Sequence, residues 1–341
     1  MYSVYQHWDP LKVCIVGRSY PPEFYSWIQV PHVRELFEKI AIETEEDYQN
    51  IVDKLEQFGV EVLRPTVFKD SMHYLLPDDS RYIPPPMTPR DLSIMIGSTF
   101  YQKFNTAPGW IGGYEDIVKQ VAAQGNTVVT EFDLATINGA MVSRIGQDLY
   151  FGTNSYNQDA TELKQSVDQE FTSTRNHIIN TGGHGDGTYC PVTPGLIISL
   201  RDVPTYAKTF PGWEVVYLPN QSWNAVKPFL KLKEKNQGRW WIPGFEHDQD
   251  VIDVVESWLS HWTGYVEETV FDVNMLIIDP KNVIVFNYNK QVFDALARYG
   301  ITPHIVPFRH RYFWDGGIHC VTSDLHREGT MQDYFPERTD V

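Results

Sequence analysis

The sequence is poor in cysteine, in positive charge and in long apolar runs, and each shortage excludes a class of protein. Its 3 cysteines, Cys14, Cys190 and Cys320, suit reduced thiols better than a disulfide framework, and their spacing matches no zinc site. Lys and Arg number 28 against 44 Asp and Glu, and the net charge of −16 disfavours nucleic acid and anionic membranes as partners. The longest apolar runs have the length of strands, so we expect no transmembrane helix.

The start of the chain, MYSVYQHWDPLKVCIVGRSY, also lacks a recognisable targeting signal. It has neither a positively charged leader followed by an apolar run nor an amphipathic leader rich in Arg and Ser. Together with the unpaired cysteines, this predicts a cytoplasmic protein. The acidic balance is compatible with a cationic small-molecule substrate.

A pattern of strand-like run, helical stretch, turn residue and second strand-like run recurs five times along the chain. The opening runs are KVCIVG (12–17), LSIMIG (92–97), DLYFG (148–152), GLIISL (195–200) and the pair NMLIIDPKNVIVFN (274–287). The closing runs are FGVEVLRP (58–65), QGNTVVTEFD (124–133), RNHIINTGG (175–183), PGWEVVYLP (211–219) and YGITPHIVPF (299–308). Five similar units favour radial repetition around an axis over one open sheet, so we predict an α/β fold in a single domain over 1–341.

The pattern predicts helices over 32–57 and 290–298, and it is interrupted by a segment rich in tryptophan and lysine at 220–262. The second half of that insertion predicts an amphipathic helix. Its apolar face comprises Val251, Val254, Val255, Trp258, Leu259 and Trp262. A long insertion in a compact fold is either a lid or assembly surface, or a peripheral packing element.

Four polar stretches fall at the ends of the strand-like runs, where radial repetition would bring them together. They are PMTPRD ending at Asp91, EFDLATINGAMVSRIG at 131–146, TGGHGDGTY at 181–189, and DGGIHC ending at Cys320. Each one alone is a weak signal, because glycine-rich turns and solvated His-x-Asp loops are common. Their shared place after successive strands makes them a candidate site.

These stretches carry a resemblance to a known family. The sequence resembles the amidinotransferases of the guanidino-group modifying superfamily, which also contains arginine and agmatine deiminases. The resemblance covers most of the chain, and its motifs are WDPLKVCIVGRS, PRD, SRIGQDLYFG, HGDGTY, VNMLIIDPKNVIV and, most specifically, GGIHCVTSDLHREGT. It implies a five-bladed α/β propeller of ββαβ modules around a central active site, in agreement with the five units.

The resemblance also implies roles for individual residues. Cys320 would be the nucleophile, His184 the acid and base, and Asp91 and Asp186 the carboxylates that hold the guanidinium. Nucleophilic attack on a guanidinium independently requires the same residue types. A guanidinium carbon is a poor electrophile, which favours a thiolate as the attacker, and two carboxylates can fix the carbon over the sulfur through paired hydrogen bonds.

At the histidine-orienting position this sequence departs from the family. Counted back from Gly146 without gaps, the family's orienting acid falls on Asn138. An asparagine can accept the imidazole N–H but brings no full charge. Asp133 is the alternative if the chain bulges there, and we favour Asn138.

The substrate's amino-acid end is the second departure. Where amidinotransferases carry small hydroxyl residues, this chain has Glu267 and Glu268, which would repel a carboxylate and attract an ammonium group. Arg201 lies two residues from the position of the family's carboxylate-binding arginine. It either retains an arginine α-carboxylate or is a surface residue on an edge strand.

The leading hypothesis is therefore an amidinotransferase that takes the amidino group of L-arginine onto Cys320, passes it to glycine or another amine, and releases ornithine. A hydrolase using water as acceptor is the alternative, giving ornithine and urea or citrulline and ammonia. A third reading is a non-catalytic propeller that binds a cationic ligand. We expect no cofactor and no metal, since a site on His184, Asp186 and His319 would adjoin the nucleophile. The sequence is compatible with a homo-oligomer.

Overall fold

In the computed structural model of this chain, the described residues form fifteen strands, grouped in five three-stranded sheets. The structure describes residues 1–67, 82–102, 108–130, 139–153, 160–200, 206–218, 240–260, 262–263, 270–314 and 316–338. Helices lie between the strands along the chain, which confirms the predicted α/β class.

The strands follow the five predicted units. In chain order they are β1 Leu11–Val16, β2 Glu61–Leu63, β3 Ser93–Ile96, β4 Thr99–Gln102, β5 Thr127–Val129, β6 Val142–Ile145, β7 Asp148–Thr153, β8 Arg175–Asn180, β9 Tyr189–Thr193, β10 Leu196–Ser199, β11 Glu214–Tyr217, β12 Leu276–Asp279, β13 Asn282–Val285, β14 Thr302–Ile305 and β15 Thr322–Arg327. The sheets are β15-β1-β2, β3-β4-β5, β6-β7-β8, β9-β10-β11 and β12-β13-β14.

One topology recurs in all five sheets. The middle strand pairs antiparallel with one neighbour and parallel with the other. Three of the antiparallel pairs are hairpins that turn at a glycine with positive φ, namely Gly97, Gly146 and Gly195. Glycine adopts this backbone region at little cost. Parallel neighbours need a long crossover, and each of the five crossovers contains a helix.

The first sheet differs because it joins the two ends of the chain. Strand β15 takes the place that the first strand of each unit has elsewhere, and it pairs with β1 from Leu11↔Arg327 to Val16↔Thr322. The residues just before β15, which include Cys320, therefore lie beside the end of β1.

The helices are mostly short. They span Pro31–Gln57, Pro89–Leu92, Pro108–Ala123, Ala160–Glu170, Tyr206–Thr209, Gln249–Val254, Val270–Val273 and Lys290–Arg298, with 3-10 turns at Pro22–Trp27, Gly139–Met141 and Gly185–Gly187. The helices predicted over 32–57 and 290–298 are confirmed. The last one begins at Asn289, whose side chain accepts hydrogen bonds from the backbone N–H groups of Gln291 and Val292 and so caps the helix.

The described part of the tryptophan-rich insertion is a packing element. Trp240, Trp241 and Trp262 are buried in the same apolar cluster as Phe37 of the long helix. The predicted helix is shorter than expected, since Gln249–Val254 is followed by a π-helical turn at Val255–Leu259. Residues 219–239 lie outside the described part of the chain. Among the described helices, none is both long and apolar enough to cross a bilayer.

Candidate active site

The candidate site forms around equivalent positions of the five units. Two residues before β3, β6, β9, β12 and β15, the strands that occupy the same place in each sheet, lie Asp91, Ala140, Gly187, Asn274 and Cys320. Asn274 and Cys320 are 46 residues apart in sequence, yet the Asn274 Nδ2 and the Cys320 Sγ are separated by 3.1 Å. The repeated register therefore brings residues from different sheets into direct contact.

Cys320 follows a glycine pair for which the structure gives a steric reason. Gly316 has a φ of +125°, and a Cβ there would lie 2.8 Å from the Cβ of Cys320. A Cβ on Gly317 would lie 2.5 Å from the Oδ1 of Asn274. Real side chains do not fit at such distances, so the two glycines let the backbone pass close to the cysteine and its neighbour. The Cys320 side chain is buried, with 6% of the residue exposed.

Asn274 is a buried polar residue that the sequence reasoning missed. Its Oδ1 accepts the backbone N–H of His319 at 2.7 Å and of Cys320 at 3.2 Å. Its Nδ2 donates to the backbone oxygen of Asp186 at 3.2 Å and to the Cys320 Sγ at 3.1 Å. The position two residues before a strand, which it shares with Asp91 and Cys320, is the signal that could have found it.

Asp186 lies in the 3-10 turn Gly185–Gly187 and contacts the sulfur from the other side. Its Oδ2 accepts the Cys320 thiol at 3.4 Å and the His319 Nδ1 at 2.8 Å. Burial raises the pKa of the Asp186 carboxyl, but the hydrogen bond from His319 and nearby positive charge, including that of Arg90, together outweigh it, and the pKa falls below its usual range. Asp186 is therefore an ionised carboxylate at neutral pH.

His319 was predicted from the sequence only as a conceivable metal ligand, and the structure gives it a different place. Burial, together with the charge of Arg90, lowers the pKa of the imidazole below its ordinary value. The ring is then neutral at neutral pH and carries its hydrogen on Nδ1, facing the Asp186 carboxylate. The contact fixes one carboxylate oxygen of Asp186.

His184 and Asp91 form the more open half of the site. The His184 Nδ1 lies 3.6 Å from the Asp91 Oδ1, and their side chains are 37% and 26% exposed. His184 directly precedes the turn that carries Asp186. Asp91 follows Arg90, whose backbone N–H donates to the carbonyl oxygen of Cys320 at 3.3 Å. The structure thus gathers Cys320, His184, Asp91 and Asp186, the residues picked out by the sequence motifs.

A buried carboxylate beneath the site ties its backbone segments together. Asp324 of β15 receives hydrogen bonds from Arg90 at 2.6 Å, from Arg144 at 2.7 and 2.8 Å, and from Arg327 at 2.6 Å. Burial would raise the pKa of the Asp324 carboxyl, but the surrounding guanidinium charges hold it well below its usual range. Since Arg90 adjoins Asp91 and Asp324 lies on the strand that follows Cys320, this cluster holds the Cys320 segment against the Asp91 segment.

The remaining predicted site residues lie outside the described part of the chain. They are Asn138, Asp133, Arg201, Glu267 and Glu268. Their predicted roles stay predictions.

A group of side chains with metal-ligand spacing lies away from these residues on the surface. The ligand atoms of His32, Asp248 and Asp250 are within 4.8 Å of one another. Asp248 already caps the helix Gln249–Val254 and contacts the His32 Nε2 at 2.9 Å. Within the described ranges, His184, Asp186 and His319 do not form such a group.

Curated proteins similar to this chain are amidinotransferases, whereas no family model matches it. The mitochondrial glycine amidinotransferase of Xenopus tropicalis is 25% identical over 397 residues, covering 97% of this chain and 84% of that protein. The L-arginine:L-lysine amidinotransferase of Pseudomonas savastanoi pv. phaseolicola is 22% identical over 320 residues, covering 82% of this chain and 78% of the relative.

Solved structures share the fold. The inosamine-phosphate amidinotransferase from Streptomyces griseus superposes with a TM-score of 0.69 at 19% identity, covering 98% of this chain and 99% of that chain. A dimethylarginine dimethylaminohydrolase, captured as an adduct with S-methyl-L-thiocitrulline, gives a TM-score of 0.54 at 13% identity over 92% of this chain and 99% of that chain.

Proposed function

We infer, from the premise that this chain belongs to the amidinotransferase family, that it is an enzyme that moves amidino groups from a small guanidino substrate to an amine. We propose L-arginine as the donor and Cys320 as the nucleophile. The observation that carries the proposal is the contact of the buried Cys320 Sγ with the Asp186 carboxylate at 3.4 Å, beside the open pair His184 and Asp91.

The two carboxylates are suited to hold a guanidinium. The Oδ2 of Asp186 is engaged by His319 and Cys320, whereas its buried Oδ1 has no hydrogen-bond partner in the described structure. A buried carboxylate oxygen without a partner is costly, and a guanidinium N–H would supply one. Asp91 offers a second carboxylate on the exposed side. Paired contacts to both would place the central carbon over the sulfur.

The proposed reaction has two halves. The Cys320 thiolate adds to the guanidinium carbon, and the bond from that carbon to the Nε of the arginine side chain breaks. His184 gives a proton to that departing nitrogen, so ornithine leaves and the amidino group remains on sulfur. An amine then attacks the same carbon, His184 accepts the proton that the amine loses, and the thiolate leaves.

Residues outside the described ranges complete the proposal. We assign the orientation of His184 to Asn138, with Asp133 as the alternative. Arg201 would retain the α-carboxylate of arginine, and Glu267 with Glu268 would favour a substrate end that carries an ammonium group. Relatives named for glycine and for lysine as acceptors support an amine as the second attacker.

We further propose that the five sheets are the blades of a five-bladed propeller in one domain, with Cys320 at its centre. The common topology of the sheets supports this, as does the pairing of the two chain ends in one sheet. The fold likeness to an amidinotransferase over 98% of the chain supports it as well.

A hydrolase is the second candidate. It keeps every residue of the first half-reaction and replaces the amine by water, and the fold likeness to a dimethylarginine dimethylaminohydrolase favours keeping it in view. The two differ in the second attacker, which depends on whether the site with bound substrate excludes water.

A product assay separates the two. Purified protein is incubated with L-arginine, with and without glycine, lysine and other amines, and ornithine, citrulline, urea and amidinated acceptor are measured together. A transferase releases ornithine only with an amine and in step with amidinated product. Ornithine with urea, or citrulline with ammonia, in arginine alone would make the enzyme a hydrolase. Cys320→Ser should abolish turnover, and Cys14→Ala, which changes a buried cysteine in β1, should not.

A further inference from the structure

We propose that Asn274 is a catalytic residue that donates a hydrogen bond to the Cys320 sulfur and stabilises it as a thiolate. The inference rests on the proposed function in one respect, namely that Cys320 is the nucleophile. The Asn274 Nδ2 lies 3.1 Å from the Sγ, a reacting atom, and only 1% of Asn274 is exposed.

The orientation of the Asn274 amide follows from its neighbours. Its Oδ1 accepts two backbone N–H groups, those of His319 and Cys320. A flipped amide would place its own N–H groups against these two donors, which is strongly unfavourable. The nitrogen therefore faces the sulfur and the carbonyl oxygen of Asp186, and all four hydrogen-bonding positions of the amide are used.

The amide is also held rigidly in place. Gly317 packs against Asn274 so closely that a Cβ on Gly317 would lie 2.8 Å from both the Cβ and the Cγ of Asn274. A donor that is fixed before the reaction costs no reorganisation when charge develops on the sulfur.

The hydrogen bond from Asn274 matters because the Asp186 carboxylate places a negative charge next to the Cys320 sulfur. The thiol hydrogen points to the Asp186 Oδ2 at 3.4 Å, a contact that stabilises the protonated form. When the proton leaves to solvent, the same carboxylate faces a thiolate and repels it. The Asn274 Nδ2–H contact instead becomes a charge-assisted hydrogen bond, which is stronger than its neutral counterpart. Asn274 therefore opposes the effect of Asp186.

The test measures the thiol without substrate. The rate at which iodoacetamide alkylates Cys320 is followed against pH by peptide mass spectrometry in the full chain and in Asn274→Ala and Asn274→Asp. The midpoint should rise by about one pH unit or more in both variants, the size of one hydrogen bond to a charged group. Below the midpoint, alkylation should slow by about tenfold.

Controls separate this role from a structural one. Asn126 is another buried asparagine, whose amide bonds Tyr2 and Ser98, so Asn126→Ala should lower stability without moving the Cys320 midpoint. Cys14 and Cys190, both buried, report unfolding in the same samples by their own alkylation. An unchanged midpoint in a folded Asn274→Ala would overturn the proposal.

If neither variant folds, the hydrogen bond is tested in the wild-type protein. The side-chain amide signals of Asn274 in nuclear magnetic resonance should shift with the same midpoint as alkylation, and signals that stay constant across it would contradict the hydrogen bond. A protein that shows the midpoint shift but transfers no amidino group would overturn the proposed function and leave the role of Asn274 standing.

Discussion

In the proposed mechanism, binding of a guanidinium depends most on Asp186, because one oxygen is fixed by His319 and the other has no hydrogen-bond partner in the described structure. Replacing it by asparagine keeps the shape and the contact with His319 but removes the charge. Loss of one partner from a buried ion pair costs about 3–5 kcal/mol, so Asp186→Asn should lower kcat/KM for arginine by at least about a hundredfold.

The measurement is steady-state kinetics of arginine turnover. Asp116→Asn is the matched control, since Asp116 is exposed on the helix Pro108–Ala123 and should leave kcat/KM unchanged. Equal kinetics for Asp186→Asn and the wild type would show that Asp186 does not bind the substrate.

His7 predicts a pH dependence of stability. Burial, followed by the charge of Arg144, lowers the pKa of His7 well below its ordinary value. Below a pH of about 6.5, His7 becomes protonated in the unfolded chain but stays neutral in the folded protein. The free energy of unfolding therefore falls as the pH drops from that value towards the pKa of the folded state.

His7→Gln should reduce that fall by up to about 1.4 kcal/mol per pH unit, the contribution of one proton. The variant keeps an acceptor for the Arg144 backbone N–H, which the His7 Nε2 now accepts at 3.1 Å. Urea unfolding at several pH values between neutral and mildly acidic measures it, with the exposed His32→Gln as control. If the free energy of unfolding depended on pH equally in the wild type and in His7→Gln, His7 would not cause this dependence.

At the scale of elements, the packing of the chain segment that leads into β15 requires a glycine at position 317. A methyl group there would meet the Asn274 Oδ1 at 2.5 Å, so Gly317→Ala must displace the asparagine or the cysteine segment. We expect a loss of stability of about 1–3 kcal/mol, typical of overpacking, together with a loss of amidino transfer.

Gly183→Ala is the matched change, because a Cβ at Gly183 meets nothing within 4 Å. Thermal unfolding and arginine turnover of the two variants would be compared. If Gly317→Ala were as stable and active as Gly183→Ala, the close approach of the two segments would be wrong.

At the scale of the whole molecule, local patterns were enough to predict the repeated units and the helix Lys290–Arg298. Its buried Val292, Ala295 and Leu296 recur at helical spacing. Cys320, Asp186, His184 and Asp91 were found because they fall in short polar stretches at the ends of strand-like runs, and the stretches of the first three are rich in glycine. The predicted helix through Trp262 was too long, since the sequence does not show where a π-helical turn ends it.

Contacts between distant units could not be read from the sequence. The place of Asn274 before a strand marks it only as a candidate, and its importance comes from a contact with Cys320, which precedes a strand of another sheet. The same is true of Asp324, whose partner Arg90 is 234 residues away. Such contacts depend on how the sheets are placed, which local periodicity does not encode.

The central claim is that the amidino group passes through Cys320. The most direct test is to mix the enzyme with L-arginine in the absence of an acceptor, quench it in acid, and measure the intact mass and the peptide that carries Cys320. We predict an increase by one amidino group in place of the thiol hydrogen, located on Cys320 and removed when an accepting amine is added before the quench. Rapid turnover with no adduct in any mixture, in an enzyme that stays active as Cys320→Ser, would contradict the account.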